Sequence, residues 1–256
     1  MLVPRPQLNS ETDFVARNDD FQSVLRAIAG AALEAGVGED AAGPSVGLPE
    51  TAAAVSAVPV SVGGAAAVPV SDAVVELVGR IRENLVFRRA AAIAAPAGGV
   101  VVPYLHNKAS DDMGTIGVAV SLSAEPSPVP GSPQRAALEA LGKTLALQVA
   151  AAQPLALDRT SVSAEDLARE TGVLEEQARA SGKPEAVVAK MVEGRLGKFF
   201  AESCLMEQKC MTAEGDRSVR QVVEDAEAGV GGPVTVHGFR LLVVGEGVQE
   251  SAEEEG

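Results

Sequence analysis

Only three runs in this chain read as strands, and they do not alternate with helices as strand–helix–strand units. They are residues 99–105 (GVVVPYL), 114–122 (GTIGVAVSL) and 233–244 (PVTVHGFRLLVV). Each is rich in β-branched residues. A doubly wound parallel sheet needs strands and helices in regular alternation. Here the first two runs flank the turn-like Ser110-Asp111-Asp112 and read as a hairpin with its loop at residues 106–113. The third stands alone after a long helical stretch. The pattern predicts an α+β fold, with short antiparallel sheets packed with helices and an antiparallel helical hairpin protruding from them.

The helical segments have recognisable ends. Asn18 is placed to cap a helix carrying Phe21, Val24, Leu25, Ile28 and Ala32 on one face, ending near Gly36. Residues 36–70 are Ala/Val/Pro/Gly/Ser-rich with almost no charge, and read as a flexible low-complexity linker. A second helix over residues 71–84 turns Val74, Val75, Val78, Ile81 and Leu85 towards the core. Residues 125–133 form a Pro/Ser linker. Residues 136–151 are helical, with Leu138, Leu141, Leu145 and Val149 free to pack. Ser163 caps a helix carrying Leu167, Leu174 and Ala178. Ser181-Gly182-Lys183-Pro184 then stops it and starts a second, carrying Val187, Val188, Met191, Leu196, Phe199 and Phe200. Two helices joined so tightly run antiparallel. The expected division is residues 1–35 (first segment and helix), 36–70 (linker), 71–124 (first subdomain continued, with the hairpin), 125–133 (linker), 134–249 (second subdomain, helical hairpin about 163–203) and 250–256 (acidic tail).

Composition narrows the function. The 256 residues are 46% hydrophobic, but Ala and Val carry much of this, with no Trp and one Tyr, so the core is built from many small contacts. A net charge of −14 disfavours nucleic acid, because phosphate binding needs clustered Lys and Arg. Cys204 and Cys210, the only cysteines, suit a reducing compartment better than a disulfide framework. The amino-terminal residues have Pro4 and Pro6 where a signal peptide needs an apolar core. Residues 51–71 are uncharged but broken by Pro59, Gly63, Gly64 and Pro69, and a membrane helix needs about 20 strongly apolar residues. His106 reads as a loop residue and His237 as a strand residue, with no G-x-S-x-G elbow nearby. No phosphate-binding loop, CxxC pair or histidine cluster is present in the sequence. No enzyme, cofactor or metal site is expected.

Recognition remains, and residues 9–22 (NSETDFVARNDDFQ) are its best candidate. Phe14 and Phe21 sit in a polar stretch of a chain that is only 3% aromatic, and Phe14 follows the carboxylate of Asp13. An apolar ring beside a carboxylate, ahead of a helix, is suited to wedging into another protein; the bland alternative is a staple packed on its own helix. The segment resembles the signature of the elongation factor Ts family. Five further blocks resemble that family in order: IRENLVFRRAAAI, YLHN with TIGVAV, LALQVAAAQPLAL, SGKPEAVVAKMVEGRLGKFFAESCLMEQ and GFRLLVVGEGVQ.

The resemblance implies a guanine-nucleotide exchange factor whose partner is elongation factor Tu, GDP-bound and nucleotide-free, with no direct nucleic acid or membrane contact. A second copy of the chain is a further candidate partner. Asp13 and Phe14 would enter near the partner's nucleotide and magnesium site, Ile116 and Gly117 of the hairpin would press on the same domain, and Thr12, Val15, His106 and Gln148 would add contacts. Gln148 stands where the family has a histidine, and Thr115 where it often has Arg or Lys. The family's helical module ahead of the signature is expected to be lacking, since eight residues precede Asn9. The strand leading into the signature is replaced by LVPRPQL, where Pro4 and Pro6 suit pairing badly. A binding-only homologue without efficient exchange is the alternative reading. The setting would be bacterial cytoplasm or, alternatively, a mitochondrial matrix or plastid stroma.

Overall fold

The computed structural model describes residues 2–37, 49–180 and 182–246. In chain order the elements are β1 (Leu2–Asn9), α1 (Asp19–Glu34), α2 (Pro49–Ser56), β2 (Pro59–Val60), β3 (Val68–Pro69), α3 (Val70–Ile81), β4 (Val86–Ala94), β5 (Val100–Ser110), β6 (Met113–Ala124), α4 (Pro133–Ala152), α5 (Ala164–Arg179), α6 (Glu185–Ser203), α7 (Val219–Val230) and β7 (Val234–Val243), with three short 3-10 turns between them. Every sheet is antiparallel, in the orders β1-β4, β2-β3 and β5-β6-β7. The architecture is α+β, as the sequence pattern predicts.

Strand alternation sorts the larger core. Val118, Val120 and Leu122 of β6 turn one way, onto Leu138, Leu141, Leu145 and Val149 of α4 and Val219, Val223 and Val230 of α7. Gly142 lets α4 approach, because a Cβ there would collide with Val102 and Leu122. On the other face of the sheet Ala119 meets Val101 and Ile93 of β4, and Ser121 Oγ donates to Ala94 O at 2.8 Å. Strand β4 is buried on both sides, since Ala90 and Ala92 join a second core with Ile28 of α1, Val55 of α2 and Leu77 of α3. Its run of alanines has poor strand propensity. Position between a helical layer and a sheet overrides it.

Several expectations need correction. Residues 2–9 do form a strand: Pro4 pairs with Ala92 and Pro6 with Ala90. The two prolines are two residues apart, so both turn their nitrogens to the same edge of a two-stranded ladder, where no donor is required. Part of the expected flexible linker is ordered: residues 49–70 hold α2 and the β2–β3 pair, with Val55, Val60 and Val70 buried. Residues 38–48 lie outside the described residues. The expected hairpin loop at 106–113 is mostly strand, because Lys108 pairs with Gly114 and Ser110 with Met113. His106 is therefore a strand residue facing Ile116. Val75 is exposed, one residue off the stripe formed by Val70, Ala73, Val74 and Leu77. Helix α7 occupies a stretch to which the sequence pattern assigns no element; Ser218 and Gln221 close a capping box at its start.

The helical caps agree with the sequence. Asn18 accepts from Asp20 N and Phe21 N, and Ser163 accepts from Asp166 N. Helices α5 and α6 touch chiefly each other and bury only Leu174, Ala178, Val188 and Val192 between them. Arg159 anchors their base, its guanidinium 4.9 Å from the Phe200 ring centroid and paired with Glu207. Among the described residues no helix is long and apolar enough to cross a membrane.

Candidate partner-binding surface

Beyond Asn9 the chain leaves β1 and is held by hydrogen bonds rather than by packing. Ser10 Oγ donates to Thr12 O at 2.9 Å. Thr12 donates twice to one carboxylate, from its backbone N to Glu83 Oε2 at 3.0 Å and from its hydroxyl to Glu83 Oε1 at 2.7 Å. A 3-10 turn follows at Val15–Arg17, with Arg17 N donating to Phe14 O and Asn18 N to Val15 O. The Asn18 cap then opens α1. The backbone is thus fixed on both sides of Asp13 and Phe14.

The side chains divide sharply. Val15 and Phe21 are buried in the core beneath α1, whereas Phe14 is 78% exposed. A staple would have packed its ring on the helix, so that reading fails. Thr12 and Asp13 are exposed beside it.

A cavity of about 480 Å³ separates this segment from the tip of the β5–β6 hairpin. Its walls include Arg5, Asp13, Arg26, Lys108, Thr115 and Gly117. One ion pair spans it: Arg26 of α1 meets Asp112 of the hairpin turn through Nε–Oδ2 at 2.8 Å and Nη2–Oδ1 at 3.1 Å. Ser110 Oγ also donates to Asp112 at 2.8 Å. Arg26 first, then Ser110, pull the Asp112 carboxyl down to about 2, and the pair raises Arg26 in turn. Arg5 reaches the hairpin from β1 by donating from Nη2 to Val118 O, while its buried Nε has no partner; burial lowers its pKa.

The hairpin candidates fall on two faces. Gly117 lies opposite Leu105 on the cavity side, where an added Cβ would meet Arg5 and Leu105 at ordinary contact distance. Steric need for glycine lies instead at Gly114, where a Cβ would stand 2.6 Å from His106 O. Ile116 and His106 pair on the opposite face, with the Tyr104 hydroxyl 3.3 Å from His106 Nδ1. Thr12, Asp13 and Gly117 therefore line one cavity, with Phe14 exposed next to Asp13 in the chain, and His106 and Ile116 belong to the hairpin's other face.

Gln148 is placed differently from a surface contact. It is buried, its Nε2 donates to Gln208 Oε1 and Lys209 O, and its Oε1 accepts from Met211 N. The side chain organises the loop at residues 208–211. An amide buried this way is not presented to a partner.

Sequence reasoning missed Glu83, Arg26 and Asp112. Glu83 lies within the IRENLVFRR block, so its residue was in view but not its pairing with Thr12. Elsewhere, His237 Nε2 lies 2.7 Å from Ser123 Oγ, but no described carboxylate bonds the ring's other nitrogen. Burial also holds this imidazole below its usual pKa. Cys204 is fully buried, and burial pushes its thiol up to about 11. Among the described residues no group of three or more His, Cys, Asp or Glu is placed to hold a metal ion.

Comparison with known proteins gives a consistent result. Residues 11–246 match the family model described as Elongation factor TS. The chain is similar to the elongation factor Ts of Sinorhizobium fredii, 39% identical over 95% of this chain and 71% of that protein. It is similarly related to the elongation factor Ts of Bartonella tribocorum, 38% identical over 95% and 71%, and to that of Rhodopseudomonas palustris, 37% identical over 97% and 72%.

Proposed function

We propose a function from one premise: the chain belongs to the elongation factor Ts family. Membership implies guanine-nucleotide exchange on elongation factor Tu. The protein binds the GDP form of that partner and promotes GDP release so that GTP can enter. Its own residues make and break no covalent bond. The relatives are bacterial proteins, which favours the bacterial cytoplasm as its setting.

The observation that carries the reading is Phe14, a large apolar ring held 78% exposed on a backbone fixed from both sides. Asp13 and Phe14 enter near the partner's nucleotide and magnesium site, with Thr12 and Val15 shaping their approach. Gly117 lines the same cavity as Asp13; Ile116 and His106 contact the partner from the hairpin's other face. Magnitudes fit a displacement mechanism. Weakening GDP a hundredfold needs about 2.7 kcal/mol of coupling, within the usual range. Burying one Phe supplies roughly 1.5–3 kcal/mol. The ring is the largest single contribution, and polar contacts to the displaced site add to it. Reciprocity follows: if this protein weakens GDP, GDP weakens this protein's binding equally.

Release of fluorescent GDP from the loaded partner tests the reading. Catalytic amounts of the protein should accelerate release, and the acceleration should saturate with protein concentration. Binding without acceleration would select a binding-only protein instead.

A further inference from the structure

Phe14 projects from a segment with little packing of its own, so something must hold it in a single conformation. We propose that Glu83 is a positioning residue for exchange, a latch that presents Asp13 and Phe14 in their partner-competent arrangement. This rests on the reading of Phe14 above.

The geometry is specific. Glu83 follows Arg82, which closes α3 in the left-handed conformation at φ 63° with its N–H returned to Val78 O. That reversal brings the Glu83 carboxylate up to Thr12, 71 residues earlier in the chain. Both carboxylate oxygens are used, one on the Thr12 amide and one on its hydroxyl. A two-point contact fixes orientation as well as distance, and hydrogen bonds to a charged acceptor are the stronger kind. Ahead of the latch, Ser10 ties the turn to Thr12 O; behind it, the 3-10 turn closes on Phe14 O. Among the described residues, Glu83 supplies the side-chain contact that joins this turn to another part of the fold. Removing it frees residues 10–14 while leaving Val15 and Phe21 seated in the core.

A segment that is competent only part of the time binds with an apparent affinity reduced by that fraction. Once seated, it is held by the partner, and the latch no longer matters. Glu83 should therefore govern the concentration needed for exchange, whereas Phe14 governs the maximal rate. A merely structural role would not produce this split.

The test measures GDP release from elongation factor Tu against concentration of the full chain. Glu83→Ala should raise the half-maximal concentration about fivefold to tenfold, the scale of a lost charge-assisted hydrogen bond in a half-exposed site, with the maximal rate unchanged. Thr12→Val, which keeps the amide but loses the hydroxyl, should raise it by a smaller factor. Thr12→Ser, which keeps both donors, should raise it less than Thr12→Val does. Thermal unfolding midpoints of the variants should stay within roughly 2–4 °C of wild type, the shift expected when only the latch's own hydrogen bonds are lost. An unchanged half-maximal concentration for Glu83→Ala, with Phe14→Ala still lowering the maximal rate, overturns the latch and leaves the wedge standing. If Phe14→Ala itself leaves exchange intact, the reading of Phe14 fails. Loss of activity in Thr12→Ser equal to that in Thr12→Val also overturns the proposal, because the hydroxyl would then be irrelevant.

Discussion

The segment at residues 10–17 and the core beneath α4 solve opposite problems. Under α4, Leu138, Leu145 and Val149 are fully buried against Val118, Val120 and Leu122, and position follows from burial. At residues 10–17 position follows from hydrogen bonds to Glu83 and Asn18, and the largest apolar side chain points into water. Phe14 and Phe21, seven residues apart, make the contrast local, at 78% and 4% exposed. A core spends its apolar surface on folding. This segment keeps it for another molecule.

The largest expected effect on stability lies in the core. Leu145→Ala should destabilise the fold by about 3 kcal/mol, the usual result for a fully buried leucine, as read by denaturant unfolding. Its exchange activity should return to normal at temperatures where the variant is folded. Gln148→Ala comes next. It strips partners from the Met211 amide and the Gln208 side chain, and should cost about 2 kcal/mol. If it instead weakens partner binding in a protein of unchanged stability, Gln148 belongs with Phe14 after all.

The Arg26–Asp112 pair should contribute less than either, since both side chains are half exposed and solvent screens the pair. Its sign with pH is fixed by the lowered Asp112 carboxyl. The contribution is complete above the ordinary carboxylate value of 3.8 and is lost as pH falls through about 2. Comparing wild type with Asp112→Asn across pH 2–6 reads it. A stability difference that grows on acidification would contradict the assignment. Phe14→Ala should have the smallest effect, within about 0.5 kcal/mol, because the ring buries little.

How much of this could be read from the sequence followed from whether the cause was local. Helix α4 was legible because Leu138, Leu141, Leu145 and Val149 keep helical spacing. The Asn18 and Ser163 caps were legible because a cap acts within three residues. Strands β1 and β4 were not, since prolines and alanines become strands only through each other and the layers around them. Helix α7 carries only a short local signal, the capping pair Ser218 and Gln221. At the site, Phe14 was conspicuous by composition alone. The Glu83 latch needed the fold, because its two ends are 71 residues apart. Burial of Gln148 likewise depends on a loop 60 residues further on.

The central claim is that exposed Phe14 serves exchange and not folding. The most direct test takes Phe14→Ala through two measurements on one preparation: unfolding free energy, and the maximal rate of GDP release from elongation factor Tu. The account predicts unchanged stability and a rate lowered at least tenfold, about 1.4 kcal/mol of lost coupling. A wild-type rate, or a rate that falls only in step with lost stability, would contradict it.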